Sequence, residues 1–251
     1  MNDFDSRNQQ RYEQREHGWQ QPQQPGAWGS YGMETAAEAS VSERMGFVRK
    51  VYALFFAATL FAVGGVGLGF AYPPLMLWII QHPWLSFFGL MGGVMGAQAL
   101  RLVPGVNLAA LFAFTTLTGV IISPAIAIYT RLNPASILQA GVLTVGIFGG
   151  LTAYVFISKK DFSFMRGMVT TGLIVVFLAA VLNLFVVGSS AVAFGISCAA
   201  LLLFSGFVLY DTSNIIRRYP TNEYVAGALS LYLDAFNIFM ALLRILNAGR
   251  R

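Results

Sequence analysis

Past residue 45 the chain contains four acidic side chains: Asp161, Asp211, Glu223 and Asp234. Asp234 lies inside LSLYLDAFNIFMALL, eleven residues into an otherwise apolar stretch, which is about 16 Å of helix. Asp211 ends the run ALLLFSGFVLYD. A carboxylate at mid-membrane depth costs at least about 2.5–3.5 kcal/mol on insertion scales, so such a group marks a functional site by default. Two physical solutions exist. The carboxyl takes up a proton, because desolvation penalises the charged form, or it shares a proton or a hydrogen bond with a partner. Asp211 is the other acid placed to serve, and two carboxyls sharing one proton titrate as a coupled unit. Such a unit changes state with pH or with cation supply.

Plainer readings stand beside this one. Asp211 at the membrane boundary is solvated next to Arg217 and Arg218, and Asp234 is a neutral acid bonded to a serine or to backbone. Asn214 and Asn237, each three residues after an aspartate, are candidate local hydrogen-bond partners. Asp161 sits beside two lysines in SKKDF and reads as a solvated loop charge, while Glu223 caps or flanks the last apolar run. Arg101 ends an apolar run with no acid near it in sequence. It is either an ordinary anchor on the positive side of a membrane or a guanidinium that locks an ionised aspartate pair. Pro124 is expected to kink its helix, and Asn183 to pack against a neighbour.

These residues need elements to hold them. Of the 251 residues, 56% are hydrophobic and 11% charged, against about 25% charged in soluble domains. With a mean hydropathy of +0.63, that argues against a soluble enzyme. One cysteine, Cys198, excludes a disulfide framework and a cysteine metal cluster, and His17 and His82 make no histidine-rich metal site. Residues 1–45 net −3 and the remainder nets +8. The basic charge therefore belongs to a membrane body, and no basic patch interleaved with aromatics points to nucleic acid. The Gln-, Gly- and Pro-rich stretch 1–45 reads as a disordered cytoplasmic tail, not a cleavable signal.

Residues 46–251 supply seven runs near the length of about 20 residues that a membrane helix needs. These are Phe47–Ala71, Trp84–Leu100, Leu108–Tyr129, Ser136–Ile157, Gly167–Val187, Val192–Tyr210 and Tyr224–Leu246. YPPLMLWIIQHPW between the first two is too short to span and reads as an interfacial turn or short helix. Glycines at 64, 65, 67, 69, 92, 93, 96, 146, 149 and 150 read as close helix packing. With the N-terminus inside, twelve Lys/Arg fall on the inner side and four on the outer. Three of those four lie at or beyond the end of the last run, so a re-entrant last helix is the alternative.

The stretch ALSLYLDAFNIFMALLRIL closely resembles the signature of the Bax inhibitor-1 family, and Arg49–Tyr52, SKKDFSFM and Leu209–Asp211 agree with it. The resemblance covers about residues 44–248 and has a bacterial character. It implies an all-α integral membrane protein in which six helices surround a central seventh. It further implies a pH-sensitive calcium leak in which Asp211 and Asp234 share a proton and Arg101 pairs with them in the closed state. No catalytic residue, cofactor or firm metal site is implied; transient calcium at Asp211 and Asp234 is the candidate. The expected setting is a bacterial inner membrane with the N-terminus cytoplasmic, and the expected partners are lipid and a permeating cation. The alternative function is a membrane-embedded regulator that binds a membrane-anchored ATP-dependent protease complex. An intramembrane aspartyl protease fits poorly: Asp234 follows LYL where those enzymes resemble Gly-x-Gly-Asp, and no Pro-Ala-Leu follows.

Overall fold

The computed structural model describes residues 40–248, apart from the side chains of residues 184 and 185. The expected disordered tail falls, up to residue 39, outside the described residues. Eight α-helices lie among the described residues: α1 (Val41–Ala71), α2 (Pro73–Gln81), α3 (Pro83–Ala99), α4 (Val106–Leu132), α5 (Pro134–Ser158), α6 (Arg166–Leu182), α7 (Ser190–Arg217) and α8 (Tyr224–Asn247). The body is all-helical among the described residues, as expected of an integral membrane protein. Six segments are long and apolar enough to cross a membrane: α1, α4, α5, α7, α8, and α6 together with the 3-10 turn Ser163–Met165 that leads into it; the count reaches seven if α2 and α3 act as one span.

The differences from the expected boundaries have local causes. Helix α1 starts at Val41, inside the stretch read as tail, because Ser40 and Glu43 form a capping box: Glu43 N donates to Ser40 Oγ (3.3 Å) and Ser40 N to Glu43 Oε2 (3.1 Å). The expected second run is α3, only 17 residues long, and it meets α2 at 97° where His82-Pro83 breaks the chain. Helix α4 continues through Pro124. Proline removes the donor to the carbonyl four residues back, which is that of Val120, and Ser123 Oγ supplies a replacement at 2.8 Å. Helix α7 runs seven residues past the expected end, so Asp211 is interior to a helix. Asn183, expected to pack against a neighbour, has a further local role. It opens the turn Asn183–Val187 and accepts from Ser189 N at 3.1 Å, bridging the break between α6 and α7.

The last helix lies at the centre. Helix α8 packs against α1, α4, α5 and α7, and Val225, Ala228, Leu229, Leu231, Ile238 and Leu243 are almost wholly enclosed. The outer faces carry exposed Leu60, Leu138, Val145 and Leu202, apolar residues suited to lipid. Helices α1 and α4 make the most extensive pairing. There a Cβ on Gly65 would strike the Thr116 carbonyl, and one on Gly119 the Ala62 carbonyl. The packing role read for ten glycines holds at 65, 69 and 93. The other seven have open space where a Cβ would go, and Gly119, absent from that reading, sits in the tightest contact.

Candidate functional site

Asp234 stands ten residues into α8, about 15 Å from its start. It is 3% exposed, and its Oδ2 is buried with no hydrogen-bond partner. Asp211 is half-buried on α7, the helix that precedes α8 and packs against it. The two carboxyls lie within electrostatic reach of one another. The structure therefore brings together the two acids singled out in the sequence, and neither takes a serine or backbone partner among the described residues.

The expected local supports lie elsewhere. Asn237 Nδ2 donates to the Leu233 carbonyl at 2.8 Å. Asn214 Oδ1 is buried without a partner. The Tyr52 hydroxyl (α1) faces those of Thr152 (α5) and Thr212 (α7), the residue after Asp211, without a hydrogen bond of good geometry. Tyr232, two residues before Asp234, shares a short hydrogen bond with Thr118 of α4, which ties the central helix to the α1–α4 pair.

Arg101 follows α3 and its Nε lies 3.2 Å from Glu223 Oε2. Its carbonyl accepts from Asn107 Nδ2 at 3.1 Å. Glu223 is the residue that precedes α8, and its carboxylate makes no bond to the amides of the first turn. Both line a cleft of about 540 Å³ together with Tyr210, Asn214 and Tyr219. Burial, and then the nearby Asp211 and Glu223 carboxylates, push the Tyr219 hydroxyl up to about 12, so it stays protonated. Its oxygen lies 3.3 Å from Ser230 Oγ, four residues before Asp234 on α8. Sequence reading gave no role to Tyr219 and left Glu223 as a cap. Nothing in the local sequence marks a pair whose members are 122 positions apart.

Asp161 is more than a solvated loop charge. It accepts from Ser163 N at 2.9 Å and from Arg218 Nη2 at 3.0 Å, and Phe162 N donates to Ser213 Oγ at 3.0 Å. Arg217 donates to the Lys159 carbonyl. Phe162 and Met165 pack with Val155 and Val169, so the link after α5 is clamped to the end of α7. The Ser163 amide, and then Arg218, hold the Asp161 carboxyl down at about 2. A lowered carboxyl contributes stability above its ordinary 3.8, and that contribution is lost as pH falls from there through about 2. Because the pair is exposed, its effect is local. Asp161→Asn is expected to speed tryptic cleavage after Lys159 or Lys160 by about two- to five-fold at neutral pH. Cleavage at the wild-type rate would show that Asp161 does not hold the link.

The family described as "Inhibitor of apoptosis-promoting Bax1" matches residues 44–251. Bax inhibitor 1 of Schizosaccharomyces pombe is 35% identical over 217 residues, covering 84% of this chain and 79% of that protein. Mouse Protein lifeguard 4 is 33% identical, covering 87% of this chain and 91% of that protein. A membrane protein of Vibrio cholerae is 46% identical over 137 residues, covering 54% of this chain and 60% of its own length. The family match spans the whole helical body, and the chain belongs to the Bax inhibitor-1 family of integral membrane proteins.

Proposed function

We propose that the protein is a passive, pH-sensitive cation leak, with calcium as the permeant ion, gated by Asp211 and Asp234. The observation that carries this reading is Asp234 itself: a 3%-exposed acid, with an unpartnered oxygen, midway along the central helix and within reach of a second acid. A buried carboxyl is stable only while its proton or a counter-charge is present. A change in either shifts a two-state packing of α8 against α1, α4, α5 and α7. No covalent step is needed, and Cys198 has no histidine beside it in sequence.

The arrangement of charge supports an inner-membrane orientation with the N-terminus cytoplasmic. Contacts gather Lys50, Arg101, Arg217 and Arg218 at one end of the bundle, through Tyr224, Glu223, the Lys159 carbonyl and Asp161. A surplus of Lys and Arg marks the cytoplasmic side. The test is calcium flux by purified protein in dye-loaded liposomes across a pH series. The expected result is a protein-dependent leak whose rate changes with pH. Flux no greater than in protein-free liposomes, or a leak indifferent to pH, overturns the reading.

A further inference from the structure

The contact between Arg101 and Glu223 is not an ordinary surface pair. Glu223 precedes the first turn of α8, where a carboxylate normally accepts from free backbone amides, yet it turns to Arg101 instead. The Glu223 side chain is 16% exposed and that of Arg101 is 41% exposed. Although Nε is buried 3.2 Å from the carboxylate, it lacks a well-aligned hydrogen bond. The attraction is therefore Coulombic and undirected. By contrast, the backbone of Arg101 is pinned by Asn107. A loosely held guanidinium on a fixed backbone point can swing.

The cleft gives it somewhere to go. Asn214 Oδ1, an acceptor buried without a partner, lines the same space, and Asp211 lies one turn before it on α7. Tyr219 stands within reach of both Glu223 and Asp211 and contacts Ser230, one turn before Asp234. The other charged or titratable groups facing the cleft are Tyr210, Arg166 and Arg218, and Arg218 is engaged by Asp161.

We propose that Glu223 competes with the aspartate pair for Arg101, and is the positioning residue that decides how often the guanidinium reaches Asp211. The consequence for calcium flux rests on the leak reading above; the competition itself does not. The test is a double-mutant cycle of Glu223→Gln and Arg101→Gln with two readouts. One is labelling of Asp211 and Asp234 by dicyclohexylcarbodiimide, which attacks protonated carboxyls in apolar surroundings. The other is the pH profile of calcium flux in liposomes.

Glu223→Gln frees Arg101 to favour ionised aspartates, so labelling at a fixed pH falls by about three- to five-fold. Glu223→Asp, which keeps the charge, restores wild-type labelling. In the Arg101→Gln background, Glu223→Gln changes nothing further, and the flux profile follows the same pattern. Unchanged labelling in Glu223→Gln, or an effect that persists without Arg101, overturns the proposal. If wild-type liposomes show no leak, the leak reading falls while the labelling cycle still decides the competition.

Discussion

Replacing Asp234 with asparagine is expected to abolish the pH response of the proposed calcium flux and to leave the folded protein as stable as before, or more so. The two halves of this result have one origin. Oδ2 of Asp234 is buried and has no hydrogen-bond partner. An amide of the same shape therefore breaks no bond, and it removes a group that costs about 2.5–3.5 kcal/mol when charged at that depth. The asparagine carries no titratable proton, so the pair can no longer change state, and the flux profile flattens. A purely structural aspartate predicts the opposite pattern: a loss of about 1–3 kcal/mol from an orphaned partner, with the pH response kept. Thermal unfolding in detergent and flux in liposomes, measured on the same preparation, separate the two. Asp211→Asn is expected to flatten the profile as well, because a coupled unit needs both members.

The fold was readable in the sequence where one property dominated. Apolar runs separated by proline or charge located α4, α5 and α8 to within three residues at each end, and the scarcity of acids in the body singled out Asp211 and Asp234. What stayed hidden depends on direction or on distance along the chain. A helix that is apolar all round carries no stripe to say which face meets a neighbour. For that reason Gly65 and Gly64 look alike in sequence, although Gly65 touches the backbone of α4 and Gly64 faces open space. The start of α1 was legible in principle, since Ser40 and Glu43 have capping-box spacing, but counting hydrophobic residues begins at Phe47 and passes over it. Asp161 looked solvated because its partners, Arg218 and Ser213, lie more than 50 positions away.

The same substitution, glycine to alanine, should have opposite effects at two positions. A Cβ on Gly119 would run into the Ala62 carbonyl and close on the Val66 amide, both main-chain atoms of α1 that no rotamer change can move aside. Helix α1 must back away, loosening a face built from Ala58, Ala62, Gly65 and Gly69. Overpacking of this kind costs about 1–3 kcal/mol or more. At Gly149 a Cβ meets nothing within 4 Å, and alanine brings only the better helix propensity, about 1 kcal/mol in soluble helices. Gly119→Ala should thus lower the thermal midpoint in detergent, while Gly149→Ala leaves it unchanged or raises it. Equal shifts at both sites would remove the case for a close α1–α4 contact. The contact bears on the proposed leak because Thr118, next to Gly119, holds Tyr232 of the central helix. A displaced α1–α4 pair moves the wall against which the helix carrying Asp234 is set, so Gly119→Ala should also alter the flux profile although residue 119 touches neither aspartate.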